Sequence, residues 1–280
     1  MNTKAAFENK IAIVTGGASG IGRALCEELV RQGTAMVIVA DIDETRARET
    51  AAAISPDHKK AAARKVDVSQ AADVQKLVAE VVQEFGRLDY MFNNAGVTIC
   101  GEVRDMELNH WQRMLEINLW GVIHGTTAAY QAMLRQGSGH IVNTASLDGL
   151  APMPMSTPYT TAKHGVVGLS TALRLEAADL GIKVSVACPG AVRTAVFDSA
   201  AYVAVEPEAV KREMFAEFKM SEPADCARYI LRGVARNDSI IMDGAVQNRI
   251  FWWIHRLNPD LYGRLMKIGV GFVRKHRIAA

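Results

Sequence analysis

Ser146, Tyr159 and Lys163 stand thirteen and four residues apart. A free phenol titrates near pH 10, too high for proton transfer at neutral pH without help. On a helix, positions i and i+4 share a face, so Lys163 lies beside Tyr159. Its ammonium favours the phenolate and lowers that pKa. Tyr159 can then take the proton of an alcohol or return it to a carbonyl. Ser146, where a strand ends, can hydrogen-bond the same oxygen and steady the charge that develops there.

A second chemical group lies upstream. The turn Thr15-Gly16-Gly17-Ala18-Ser19-Gly20-Ile21-Gly22 joins an apolar run to a helical pattern. Glycines in such a turn let backbone N–H groups approach a pyrophosphate, with the helix N-terminus facing its charge. Asp41 closes the next strand, where a carboxylate can accept hydrogen bonds from an adenosine ribose. The same charge repels a 2′-phosphate, and neither Ser19 nor Ile42 offers a cation in compensation. NAD is expected rather than NADP. Together the two groups point to hydride chemistry.

The elements that must position these residues alternate between short β-type runs and longer helical patterns, which implies a parallel sheet with helices on both faces. Strands are expected at 11–14, 35–40, 61–66, 88–92, 140–144, 183–187 and 239–242. Helices are expected at 20–32, 43–54, 69–85 with Ser69 as N-cap, 108–135, 156–180 and 223–236. The segment 191–220 reads as irregular or helical. The fold class is α/β, a Rossmann-type doubly wound sheet over residues 1–245. A basic, aromatic extension follows at 246–280.

The chain resembles the short-chain dehydrogenase/reductase family, in its compact single-domain form. The glycine turn, Asp67-Val68, Asn93-Asn94-Ala95-Gly96, Asn118, Ser146, Tyr159-Thr-Thr-Ala-Lys163 and Pro189-Gly190 leading to Thr194 carry the resemblance, in order, over residues 10 to about 195. It implies that Asp67 and Val68 lie against the adenine and that Asn94, Ala95 and Gly96 shape the strand end beside the cofactor. It further implies that Pro189, Gly190, Val192 and Thr194 border the nicotinamide, with Thr194 on its carboxamide. Gly16, Ser19, Gly20, Ile21 and Gly22 would hold the phosphates. Asn118 would position a water linking Lys163 to solvent, and Lys163 would also grip the nicotinamide ribose. A homodimer or homotetramer joined through the two long helices, 108–135 and 156–180, is the family's arrangement.

Composition bounds the remaining possibilities. A chain of 280 residues, 49% hydrophobic, is long enough for one large core. A formal charge of +2 gives no reason to expect a nucleic-acid partner. Cys26, Cys100, Cys188 and Cys226 show no paired or metal-ligand spacing, so free thiols and no metal are expected. The polar first residues and the lack of a long apolar run suit a cytoplasmic protein. His110, His124, His140 and His164 read as structural or solvated. Asp148, two residues after Ser146, borders the pocket and suits either a polar group on the substrate or a local turn hydrogen bond.

Val97, Leu147, Leu150, Met153, Met155, Val196, Phe197, Tyr202, Met214, Phe215 and Phe218 are the candidate pocket walls. They suit a hydrophobic secondary alcohol or ketone. Alternatives are an NADPH-linked carbonyl reductase and a non-catalytic NAD-binding protein that docks through its extension. Residues 246–280 hold seven Lys or Arg against one acid, Asp260, with Ile250-Phe251-Trp252-Trp253-Ile254 among them. That mixture leaves three placements open: on a second subunit, over the pocket, or as a peripheral contact on a membrane surface.

Overall fold

The computed structural model describes residues 3–217, 220–243 and 245–278. Its strands are β1 (Ile11–Thr15), β2 (Met36–Asp41), β3 (Ala61–Lys65), β4 (Tyr90–Asn93), β5 (Ile99–Cys100), β6 (Gly139–Thr144), β7 (Ile182–Cys188), β8 (Ala201–Tyr202) and β9 (Ile240–Met242). Its α-helices are α1 (Lys4–Phe7), α2 (Gly20–Arg31), α3 (Glu44–Ile54), α4 (Ala71–Phe85), α5 (Leu108–Leu115), α6 (Gly121–Gln136), α7 (Thr157–Glu176), α8 (Pro207–Glu217), α9 (Pro223–Ala235), α10 (Val246–Leu257) and α11 (Pro259–Arg274).

Seven strands form one parallel sheet in the order β3-β2-β1-β4-β6-β7-β9. β1 is buried at every position, which its continuous apolar run requires of a strand covered on both faces. Alternate residues serve opposite cores: Ala12 and Val14 pack with Leu25 and Leu29 of α2 and Ile230 of α9. Ile11 and Ile13 pack with Leu77 and Val81 of α4 and Met133 of α6. Burial of each such side chain contributes about 1.5–3 kcal/mol. The strand order reverses direction between β1 and β4, and the crevice at such a reversal is where α/β sheets bind ligands.

The expected fold class is the one observed, with local differences. The helix expected from Ser69 begins at Ala71, because Ser69 donates its hydroxyl to Asp67 Oδ1 at 2.7 Å instead of capping. The expected 108–135 helix is interrupted by a π turn at Glu116–Trp120, closed by Gly121 N donating to Glu116 O. Helix α7 ends at Glu176, short of Leu180. β5 and β8, both unexpected, pair with each other as a separate parallel ribbon beside the main sheet. Gly137 adopts φ 72° and closes α6.

The extension folds into the hairpin α10–α11, turned at Asn258-Pro259. It lies against the pocket rim. His255 Nδ1 pairs with Leu150 O at 3.1 Å, and Tyr262, 3% exposed, donates to Pro152 O at 3.1 Å. Beyond α11, Arg277 bridges to Val205, and Ile278 N donates to Ala204 O. Arg274 and Arg277 reach Glu102 and Asp105 at 2.6 and 2.5 Å. The hairpin thereby joins three rim segments that are far apart in sequence.

Candidate active site

Four loops meet at the C-terminal edge of β1, β4, β6 and β7. Gly16 takes φ +65°, and a Cβ there would stand 2.8 Å from Ala95 Cα. At Gly22 a Cβ would stand 2.0 Å from Gly16 O. No larger residue fits either place, so the turn folds tightly onto the 94–96 loop. Thr15 fastens the two: its buried Oγ1 accepts from Asn94 N and Ala95 N at 3.0 and 3.1 Å, while Asn94 Nδ2 donates to Thr15 O. Thr15 stood in the motif without a role, and its signal is only that a small hydroxyl precedes the glycines.

Within the cradle that the turn forms, Gly17 N donates to Ala40 O, while Gly16, Ser19 and Gly20 are half-buried. Ser19 precedes α2 without a side-chain cap bond, Ile21 packs half-buried on the core, and Thr194 lies over Gly20. Asp41 ends β2 beside the cradle, accepting from Ala18 N at 3.0 Å and from Asp43 N at 3.1 Å. Asp67 follows the end of β3, accepting from Ser69 N, and Val68 packs on Gly121 at the start of α6. Pro189 O accepts from Leu147 N, and Gly190 N donates to Asp243 Oδ2 at 3.0 Å. The side chain of Val192 is buried in the core instead, and its main chain bridges to Ser221. These residues fit an adenine dinucleotide: a glycine cradle closed to side chains, with a carboxylate at the neighbouring strand end.

The second group sits next to the first. Lys163 is 3% exposed, and its Nζ donates to Thr144 O at 2.9 Å while lying 5.4 Å from the Tyr159 ring centre. Burial lowers its pKa to about 8. Asn118, fully buried in the π turn, donates to Val97 O and Met114 O and accepts from Val97 N. A Cβ on Gly96 would stand 2.7 Å from Asn118 Oδ1 and 3.7 Å from Lys163 Nζ, so glycine is what lets these two approach.

Tyr159 departs from the simple ammonium–phenol argument. Burial and then the Asp148 carboxylate push its pKa up, and a hydrogen bond with Ser146 opposes them. Asp148 belongs to the site as well. Its N–H donates to Ser146 Oγ at 3.2 Å, and its carboxylate accepts from Ser146 and Ser156 at 3.5 and 3.3 Å. Burial raises its own pKa to about 6. Of the two expected uses of Asp148, the local turn hydrogen bond is made, and the carboxylate also reaches Ser146 and Ser156.

Of the candidate walls, Leu150 packs into the core with Val122 and Val166 instead. Leu147 and Met155 are buried; Val97, Met153, Val196, Phe197 and Tyr202 are half-buried. Phe218 lies outside the described residues, as do the side chains of Met214 and Phe215. His164 is exposed, His110 caps α5, His124 meets Val68 O, and buried His140 pairs with Ser185, its pKa lowered by burial to about 3. All four cysteines are free thiols. Among the described residues, no cluster of His, Cys, Asp or Glu is arranged for a metal ion.

The family model "short chain dehydrogenase" matches residues 10–202. The chain belongs to the short-chain dehydrogenase/reductase family. This dehydrogenase/reductase is 32% identical over 267 residues to the putative oxidoreductase SadH of Mycobacterium tuberculosis, covering 94% of this chain and 96% of that one. Fewer residues are left unmatched there than the extension contains, so the likeness runs into the extension. Over 207 residues it is 39% identical to cyclohexanol dehydrogenase of an Acinetobacter species, covering 72% of this chain and 81% of that one. Among solved structures, a short-chain dehydrogenase/reductase from Burkholderia phymatum in complex with NAD superposes with a TM-score of 0.83 at 27% identity, over 91% of this chain and 95% of that chain. The protein is an oxidoreductase of a family that uses a nicotinamide cofactor.

Proposed function

We propose that this protein is an NAD-dependent dehydrogenase acting between a hydrophobic secondary alcohol and its ketone. The observation that carries the reading is the meeting of Ser146, Tyr159 and buried Lys163 beside the glycine cradle. When bound, the oxidised cofactor would supply the hydride acceptor and a positive charge. Tyr159 Oη holds the alcohol proton, and Ser146 Oγ orients the oxygen that loses it. Lys163, fixed by Thr144 O, keeps an ammonium near the phenol and reaches toward the nicotinamide ribose. The π turn sets Asn118 beside Gly96, which Lys163 Nζ also approaches, and a relay water between Lys163 and solvent would be held there.

Asp41 supports NAD, because its carboxylate stands at the cradle and its charge would repel a 2′-phosphate, with Lys65 its register partner on β3. The half-buried Val97, Met153, Val196, Phe197 and Tyr202 support an apolar substrate. One relative, by its name, acts on cyclohexanol, which is a secondary alcohol.

The test is NADH formation by purified protein with secondary alcohols of graded size, run in parallel with NADP. Turnover with NAD on bulky apolar alcohols is expected. A strong preference for NADP would overturn the role of Asp41. Absence of turnover on every alcohol, with NADH still bound, would overturn the substrate class. Asp41→Ser is expected to raise kcat/KM with NADP relative to NAD.

A further inference from the structure

The hairpin α10–α11 has two unlike faces. Its inner face makes the contacts already described, through Asn248, His255 and Tyr262, and Trp252 packs on the core near Leu150. Helical geometry places residues 246, 250, 253 and 257 on the opposite side of α10. Those residues are Val246, Ile250, Trp253 and Leu257, exposed by 70, 51, 49 and 77%. On α11, Leu261, Leu265 and Ile268 follow one another at i, i+4 and i+7 along one face, beside the buried Tyr262, and all three are exposed. Each helix therefore turns an apolar stripe outward.

Both stripes are edged by cations. Arg249 and Arg256 lie along one side of the α10 stripe, and Arg264 and Lys267 along one side of the α11 stripe. None of the four has a carboxylate partner among the described residues, whereas Arg274 and Arg277 are engaged at the rim. A second copy of the hairpin would bring the same four cations against these and would repel. An anionic lipid surface matches both the apolar stripe and its charged edge. Among the described residues no helix is long and apolar enough to cross a membrane, so contact would be along the surface.

We propose that the outer face of α10–α11 docks the protein on anionic membrane surfaces. The stripe enters the headgroup boundary, with Trp253 at the interface, and the four cations engage lipid phosphates. Because the inner face of the same hairpin borders the pocket, docking sets the pocket rim beside the lipid. This inference rests on the hairpin's two faces and stands whatever the substrate proves to be.

The test is co-sedimentation of the full chain with vesicles of phosphatidylcholine alone or mixed with phosphatidylglycerol. Binding to the mixed vesicles, weakened by salt, is expected. Replacing Arg249, Arg256, Arg264 and Lys267 by Gln should weaken it by roughly fivefold for each charge removed. Trp253→Glu should weaken it by about tenfold or more, with the thermal melting curve and NADH binding of this surface variant showing that it folds. No binding to mixed vesicles by the intact chain would overturn the proposal. So would equal binding to both vesicle types that ignores the four charges. A smaller oligomer for Trp253→Glu in sedimentation, with no vesicle binding by the intact chain, would assign the face to a second copy instead.

Discussion

Tyr159 stands between influences of opposite sign. Burial and the Asp148 carboxylate hold its proton on, while Ser146 pulls the other way. Tyr159→Phe removes the proton carrier and is expected to lower kcat by about 10²–10⁴-fold with little change in NADH affinity, measured by steady-state kinetics and fluorescence titration. Asp148→Asn removes a negative charge that raises the phenol's pKa. The limb of the oxidation pH profile that requires phenolate should therefore move to lower pH, and a profile that stays in place would contradict the coupling. Asp148 also bears on stability. Its folded pKa of about 6 exceeds the ordinary carboxyl value of 3.8, so between these values the folded state binds more protons than the unfolded state. Stability from this group is present below 3.8 and is lost as pH rises toward 6, and thermal melts of Asp148→Asn should lack that slope. The spacing of Ser146, Tyr159 and Lys163 was enough to read them as one group, and the fold does bring them together. The strength of Asp148 was not readable, because burial is a property of the assembled pocket and leaves no mark at position 148.

The π turn shows what elements add to residues. Asn118 sits in the π turn, where its side chain bonds Val97 N and O and lies beside Gly96. Asn118→Ala leaves Val97 N–H and C=O unpaired in the interior. A loss of about 1–3 kcal/mol is expected in denaturant unfolding, together with lowered kcat. The main strands were legible because parallel strands buried on both faces read as continuous apolar runs. The π turn was not, since Glu-Ile-Asn-Leu-Trp has no local feature separating it from an ordinary helix. β5 and β8 escaped for a different reason: two residues each, paired across about a hundred positions, carry no periodicity. Ser69 misled because a nearer acceptor, Asp67, competes for its hydroxyl.

At the scale of the whole molecule, the extension completes the site. Tyr262 and His255 hold the 150–152 backbone, Asn248 donates to Asp243, and Asp243 in turn accepts from Gly190 N. Tyr262→Phe removes one buried hydrogen bond, so a loss of about 1 kcal/mol is expected in unfolding experiments. Its kinetic effect should fall more on KM than on kcat, because the bond supports the rim and not the proton path. The contacts of His255 and Tyr262 were not legible, since their acceptors at Leu150 and Pro152 are main-chain carbonyls that any residue carries. The chain order of these parts also governs how the protein comes into being on the ribosome. By Met242 every strand of the main sheet and both halves of the glycine cradle have been made. Residues 246–278 emerge afterwards, so the strands and the cradle are all synthesised before the hairpin that braces the rim.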